Sequence, residues 1–352
     1  MPGLGSTGSK FQLSAGWRYA AADRSYFNSR YNRDFTELWG PKIRLSTLDL
    51  TALYRVNKRI RLVGTLPIVF NNFSLILPPF GIDQGSRTGW PINGVGDLSL
   101  YAQSFVLDPA EHPFQNVSLG MGIKVPTGSW DARRSIPNAL GQDKRKRSAY
   151  PPAALPGDGG VGILFGYDAY KIIRKPGPFR GTTLFSSAVY LANPRVTNGT
   201  PSIIRSLDVP LSPIYFNRLN NSVADTWTLR AGFSSRIPKT YDKPFLKGLR
   251  LRGTLHWDGL RSRDLIGSNR GFRQPGWAVA VAPGFSYRYK RHLFIVEAPI
   301  TIAKHINPGA TNLPGLPRRL PNGSIVPGAF NAKRQLGLVA PASISVRYVR
   351  TM

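Results

Sequence analysis

Arg250 and Arg252 stand two apart in a segment where Leu249, Leu251, Leu255 and Trp257 alternate with Arg250, Arg252, Thr254, His256 and Asp258. Residues spaced by two share one face of a β-strand, so these two guanidiniums lie side by side. A group of guanidiniums binds carboxylate or phosphate through paired hydrogen bonds. The preceding segment carries Arg230 in the same alternation, on its polar face. Read the same way, Arg18, Arg55, Arg61, Lys124, Arg236, Arg288 and Arg347 occupy the polar faces of their own segments. They are set against the acids Asp49, Asp97, Asp168, Asp258 and Glu297. Rings of Arg and Lys around a passage favour anions. The plainer alternative is that these cations pair with the acids and fill a narrow interior.

Catalytic chemistry has little to work with. The four histidines are His112, His256, His292 and His305, and no two have metal-ligand spacing. His256 shares a face with Asp258; a barrel lipid hydrolase would need Ser there, so the pair reads as a structural hydrogen bond. Cysteine is absent, which excludes disulfides and thiolate metal sites. There is no G-x-S-x-G, Walker or dinucleotide motif, and Gly94-x-Gly96 precedes no helix that would make it a phosphate loop. The expectation is a protein that is not an enzyme and carries no metal or cofactor.

Lys and Arg number 47 against 18 Asp and Glu, a net charge of +29. Lys144, Arg145, Lys146 and Arg147 form a basic run suited to a polyanion such as lipopolysaccharide phosphate, or to a solvated loop. No zinc-finger, RNP or basic-helix pattern accompanies the charge, so nucleic acid is not the expected partner.

The elements that must position these residues are strands. No stretch approaches the ~18 apolar residues of a membrane helix, and the mean hydropathy of −0.19 is too polar for a helix bundle. Two-residue alternation recurs in about twelve segments of the kind seen at Phe11–Tyr19, Leu48–Arg55, Val117–Lys124 and Ile344–Tyr348. Only the facing of 182–191 stays undecided. Short connections (57–58, 108–114, 175–179, 238–247, 290–291) alternate with long ones (21–46, 72–95, 126–159, 192–222, 259–275, 305–333). Barrels of the bacterial outer membrane show this alternation, with short periplasmic turns and long extracellular loops. Greek-key sandwiches do not require it. The chain is therefore expected to be all-β: one domain, 1–352, folded as a transmembrane antiparallel up-and-down barrel with both termini on the same side. Tyr19, Tyr54, Trp227, Trp257, Trp277, Tyr287 and Tyr348 lie near segment ends, where aromatic girdles belong. Such a barrel is exported, so the reading expects a leader that is removed or that lies upstream of Met1.

Gly94-Val95-Gly96-Asp97-Leu98 opens one strand, and Gly122-Ile123-Lys124-Val125-Pro126-Thr127-Gly128 closes the next. Together they resemble the outer-membrane transporter-like family named for the meta-pathway of phenol degradation, and Gly157-Asp158-Gly159-Gly160 is compatible with it. The resemblance covers about residues 94–170. It implies a barrel passing small aromatic or hydrophobic compounds. The chain end differs from many bacterial barrels, which finish on an aromatic residue; here Tyr348 would take that place, four residues before Met352.

The function expected from the sequence is that of an outer-membrane channel for small solutes, biased toward anionic or aromatic ones, in contact with membrane lipid and lipopolysaccharide. Two alternatives stand beside it: a closed surface barrel whose basic loops bind polyanions, and a soluble basic all-β binding protein. Oligomeric state leaves no mark in the sequence.

Overall fold

The computed structural model describes residues 10–77, 86–135, 146–147, 150–202, 205, 219–237, 246–308, 315–319, 325–328 and 336–352. Twelve strands form its body. They are β1 (Phe11–Ala22), β2 (Lys42–Arg55), β3 (Ile60–Leu77), β4 (Ser86–Val95 and Leu98–Phe105) and β5 (Gln115–Val125). Next come β6 (Gly162–Ile172), β7 (Thr183–Ala192), β8 (Thr226–Arg236) and β9 (Leu249–Leu260). The last are β10 (Gly276–Tyr289), β11 (His292–Glu297 and Ile300–Ile306) and β12 (Ser343–Thr351). Each pairs antiparallel with its neighbour in the chain. β12 closes on β1 from Gln12↔Thr351 to Ala20↔Ser343, so the barrel has no free edge. Both ends of the described chain meet at the short-turn end, where Met352 N donates to Phe11 O at 3.0 Å.

The direction of the alternation separates a membrane barrel from a soluble one. On β5, Leu119 and Met121 are 58% and 59% exposed, whereas the preceding Ser118 is fully buried at 0%. Leu13, Leu50, Leu62, Leu100, Leu251 and Phe285 are exposed on the same outer surface. A soluble barrel would have the opposite phase. Here the apolar face is outside, as lipid requires. On β3 the outward apolar run from Ile60 to Phe70 has the length of a tilted membrane strand, ~9–11 residues. Aromatic side chains pair along the strands, Trp17 with Tyr19 and Trp227 with Trp257, with centroids 6.1 and 4.8 Å apart. The undecided strand is β7: Leu184 is exposed outside and Phe185 is buried inside.

The turns at one end are short and locally bonded. Asn57 Oδ1 accepts from the backbone N–H groups of Arg59 and Ile60, both at 2.8 Å. Asp108 accepts the Ala110 N–H at 2.9 Å and faces Arg59 at 3.4 Å, which together hold its carboxyl below its ordinary range.

The other end departs from the expectation in one place. Residues 72–95, read above as a loop, are mostly strand: β3 continues to Leu77 and pairs with the first part of β4 from Ile68↔Val95 to Leu77↔Ser86. In this extension the alternation inverts. Phe73, Leu75, Trp90 and Ile92 point inward and are buried, while Asn72 is exposed. The hairpin has left the apolar layer, so its apolar side turns to a core of its own. Ala22, Leu38, Trp39, Ile43, Tyr150, Ala154 and Leu155 complete that core. Leu38 and Trp39 come from a helix the alternation did not announce, α1 (Arg33–Trp39). Asn32 caps it by accepting from Phe35 N at 2.9 Å, and Gly40 ends it at φ 48°.

A charge in the apolar belt tests this orientation. Met121→Arg is expected to cost about 2–4 kcal/mol of unfolding free energy in lipid vesicles, the depth-dependent cost of a lipid-facing cation. Denaturant titration of the reconstituted protein measures it; a change near zero would place Met121 in water.

Candidate functional site

The inward faces of β1, β2 and β6–β12 enclose a cavity of about 1080 Å³. Nine Lys and Arg side chains line it, against three carboxylates, Asp49, Asp258 and Glu297. Each carboxylate is held by an arginine. Arg18 bonds both oxygens of Asp49 at 2.8 and 3.1 Å. Arg230 grips Asp258 at 2.6 and 3.0 Å. Arg252 reaches Glu297 at 3.2 Å, and Thr254 Oγ1 donates to the same oxygen at 2.8 Å.

Arg250, Arg288 and Arg347 are not neutralised in this way. Arg250 donates to Ser234 Oγ at 3.0 Å and to the carbonyls of Gly181 and Ser234, both at 2.7 Å. All of these acceptors are uncharged, so they fix the guanidinium without cancelling its charge. Arg347 lies against the Gly16 backbone, where a Cβ would meet its Nε at 3.2 Å. Neither its guanidinium nor that of Arg288 hydrogen-bonds or ion-pairs with a described residue.

The alternation therefore brings Arg18, Arg230, Arg250, Arg252, Arg288, Arg347, Asp258 and Glu297 together around one space. The other residues with inward alternation are placed differently. Arg61 stacks on the Phe105 ring, its Cζ 4.3 Å from the centroid, and donates to Ser118 Oγ at 3.4 Å. Asp168 accepts from the Gln103 amide. Arg55 is half-buried at the turn end, outside the cavity lining. Lys124 and Asp97 belong to a separate buried knot. His256 and Asp258 do not make the hydrogen bond read for them: Arg230 occupies both Asp258 oxygens, and His256 Nε2 is buried without a partner among the described residues. Lys247, Lys290 and Phe185 also line the cavity. Lys247 and Lys290 sit in or beside turns, where alternation has no phase, and the mixed residues of β7 hid Phe185.

The knot joins three sequence motifs. Lys124 Nζ bonds Asp97 at 3.3 Å and also Asp158. Asp97 accepts from Gly128 N at 3.0 Å and from Asp158 N at 3.2 Å. Thr127 Oγ1 donates to Gly96 O at 2.7 Å and accepts from Leu98 N at 2.9 Å. The strap around residues 150–160 is thereby bound over the loop end. The backbones of Gly128 and Gly157 approach so closely that a Cβ on Gly128 would stand 2.8 Å from Gly157 N; only glycine permits this.

A second buried network ties down the neighbouring loops. Asp225 accepts from Tyr190 Oη at 2.6 Å and from the N–H groups of Asn193 and Leu265, both at 2.7 Å. Its own N–H donates to Asp264 at 2.9 Å, and Arg273 grips Asp264 with two bonds of 2.7 Å. Of the basic run, Lys144 and Arg145 lie outside the described residues; the backbone of Lys146–Arg147 pairs with Arg134–Ser135. No cluster of three or more His, Asp or Glu suited to a metal occurs among the described residues.

No family model matches the sequence, and no curated protein matches it. Solved structures do. An outer-membrane channel from Pseudomonas putida F1 aligns over 98% of this chain and 96% of its own at 12% identity, with a TM-score of 0.51. The β-domain of the Bordetella autotransporter BrkA covers 96% and 99% at 12% identity and a TM-score of 0.43. The toluene transporter TbuX of Ralstonia pickettii covers 98% and 90% at 9% identity and a TM-score of 0.41. The likeness to the channel identifies the fold as that of an outer-membrane barrel, and at this identity it reaches no further.

Substitution of the knot tests its role. Lys124→Met leaves Asp97 and Asp158 facing each other without a cation. It is expected to cost about 3–5 kcal/mol, the range for breaking a buried ion pair by removing one partner. Asp97→Asn, which leaves Lys124 with Asp158, is expected to cost less. Denaturant midpoints of the two variants give the order; equal, small shifts would mean the knot is dispensable.

Proposed function

We propose that this barrel lies in a bacterial outer membrane and passes small solutes through its lumen, with a preference for anions. The observation that carries the reading is the imbalance of the cavity lining: every carboxylate is already bound to an arginine, and Arg250, Arg288 and Arg347 remain without one. In a confined space with low-dielectric walls, unmatched positive charge raises the local concentration of anions. The barrel fold, shared with an outer-membrane channel, supports the location and the passage.

The packed loop end favours a second reading, a sealed barrel. The Lys124 knot and the Asp225–Asp264–Arg273 network tie loops down where a solute would enter, and the basic loops, including Lys144–Arg147, would then engage lipopolysaccharide phosphate.

A planar bilayer separates the two. Under a salt gradient the channel reading expects discrete steps with a reversal potential on the anion-selective side, and Arg347→Glu is expected to move that potential toward cation selectivity. A barrel that inserts without steps supports the sealed reading. Steps with cation selectivity would contradict the anion preference.

A further inference from the structure

The turn-end part of the cavity combines unmatched charge with apolar walls. Arg250 sits on β9, with Arg236 directly opposite on β8 and Ser286 opposite on β10. Arg288 follows two residues beyond Ser286, on the same face, within electrostatic reach of Arg250. Arg250 is pinned by neutral acceptors, and Arg288 makes no hydrogen bond or ion pair with a described residue. Apolar groups border the two guanidiniums. Arg250 Nη2 lies 3.4 Å from Thr183 Oγ1, and Thr183 pairs with Ile172. Ile172 lines the cavity there. Across the cluster, Leu293 stands opposite Arg288 and Ile295 opposite Ser286.

We propose that this region is a binding site for small aromatic carboxylates, with Arg250 and Arg288 taking the carboxylate and Ile172 and Leu293 the ring. Other solute classes fit these groups less well. Inorganic phosphate would satisfy the cations and leave Ile172 and Leu293 wetted. A neutral aromatic would bury the apolar wall and displace water from two guanidiniums without replacing their hydrogen bonds, which is costly. A dianion would carry a second charge against an apolar wall. A monoanion with a flat apolar body satisfies both halves, and a cavity of about 1080 Å³ holds it with room for water. A few placed polar groups in an apolar-walled concavity is the usual form of a small-molecule site. This inference deepens the channel reading by naming the solute class that binds in the proposed path.

The test is calorimetric titration of the folded barrel in a non-ionic detergent with benzoate, acetate, benzyl alcohol and inorganic phosphate. Benzoate is expected to bind at least about tenfold more tightly than the other three. Arg288→Gln is expected to weaken benzoate about tenfold, the loss of one charge-assisted hydrogen bond. Ile172→Ser is expected to weaken benzoate while leaving acetate unchanged. The slower mobility shift on boiling in gel electrophoresis checks that each variant is folded. Benzoate binding no better than acetate or phosphate, or unchanged by Arg288→Gln, would overturn the site. Conductance without benzoate binding overturns this inference alone, whereas benzoate binding without conductance overturns the channel reading alone.

Discussion

The structure depends on one constraint: in lipid, a backbone N–H or C=O has no partner except another backbone group. Closure of β12 on β1 satisfies it along the seam, from Gln12↔Thr351 to Ala20↔Ser343. Once the sheet is closed, its two faces meet different solvents, and each strand must alternate between them. Leu119 and Met121 face out and Ser118 faces in for that reason. The arginines collect inside because an outward cation at that depth would cost several kcal/mol. The charged cavity is thus a consequence of the same alternation that places the barrel in the membrane.

Where the strands leave the apolar layer, the alternation inverts. On the extended hairpin of β3 and β4 the inner side is Phe73, Leu75, Trp90 and Ile92, as in a soluble protein. The loop end therefore has an apolar core with α1 and the 150–155 strap packed on it, and the lumen below has a polar one. Lys124, Asp97 and Asp158 lie at the boundary, where the strap is anchored to the barrel wall. The lumen and its cover are joined at this buried ion cluster.

Much of this was legible in the sequence. The strand number, the facing of eleven strands and the cluster of Arg230, Arg250 and Arg252 follow from two-residue periodicity and loop alternation. What stayed hidden has physical causes. The inverted phase over 72–95 looks like a loss of pattern until the change of solvent is known. Helix α1 has only seven residues, too few for a helical period to show. The partners of the lumenal arginines depend on strand register and stagger: Arg18 finds Asp49 and Arg252 finds Glu297 across pairings no spacing encodes. The family-like motifs at Gly94, Lys124 and Gly157 prove to be one structural knot. Lys124 and Asp97 are thus spent on anchoring the strap, though their alternation placed them among the lining residues.

The chain has no cysteine, so a single introduced thiol reports its own surroundings. The rate of modification of Ser345→Cys, on the cavity wall, by charged thiosulfonate reagents tests the cationic lumen most directly. The anionic sulfonate reagent should react faster than the cationic ammonium reagent, with the difference shrinking as salt rises. In reconstituted vesicles, Leu119→Cys, on the lipid face, should react with neither. Equal or reversed rates at Ser345→Cys would contradict an anion-attracting lumen.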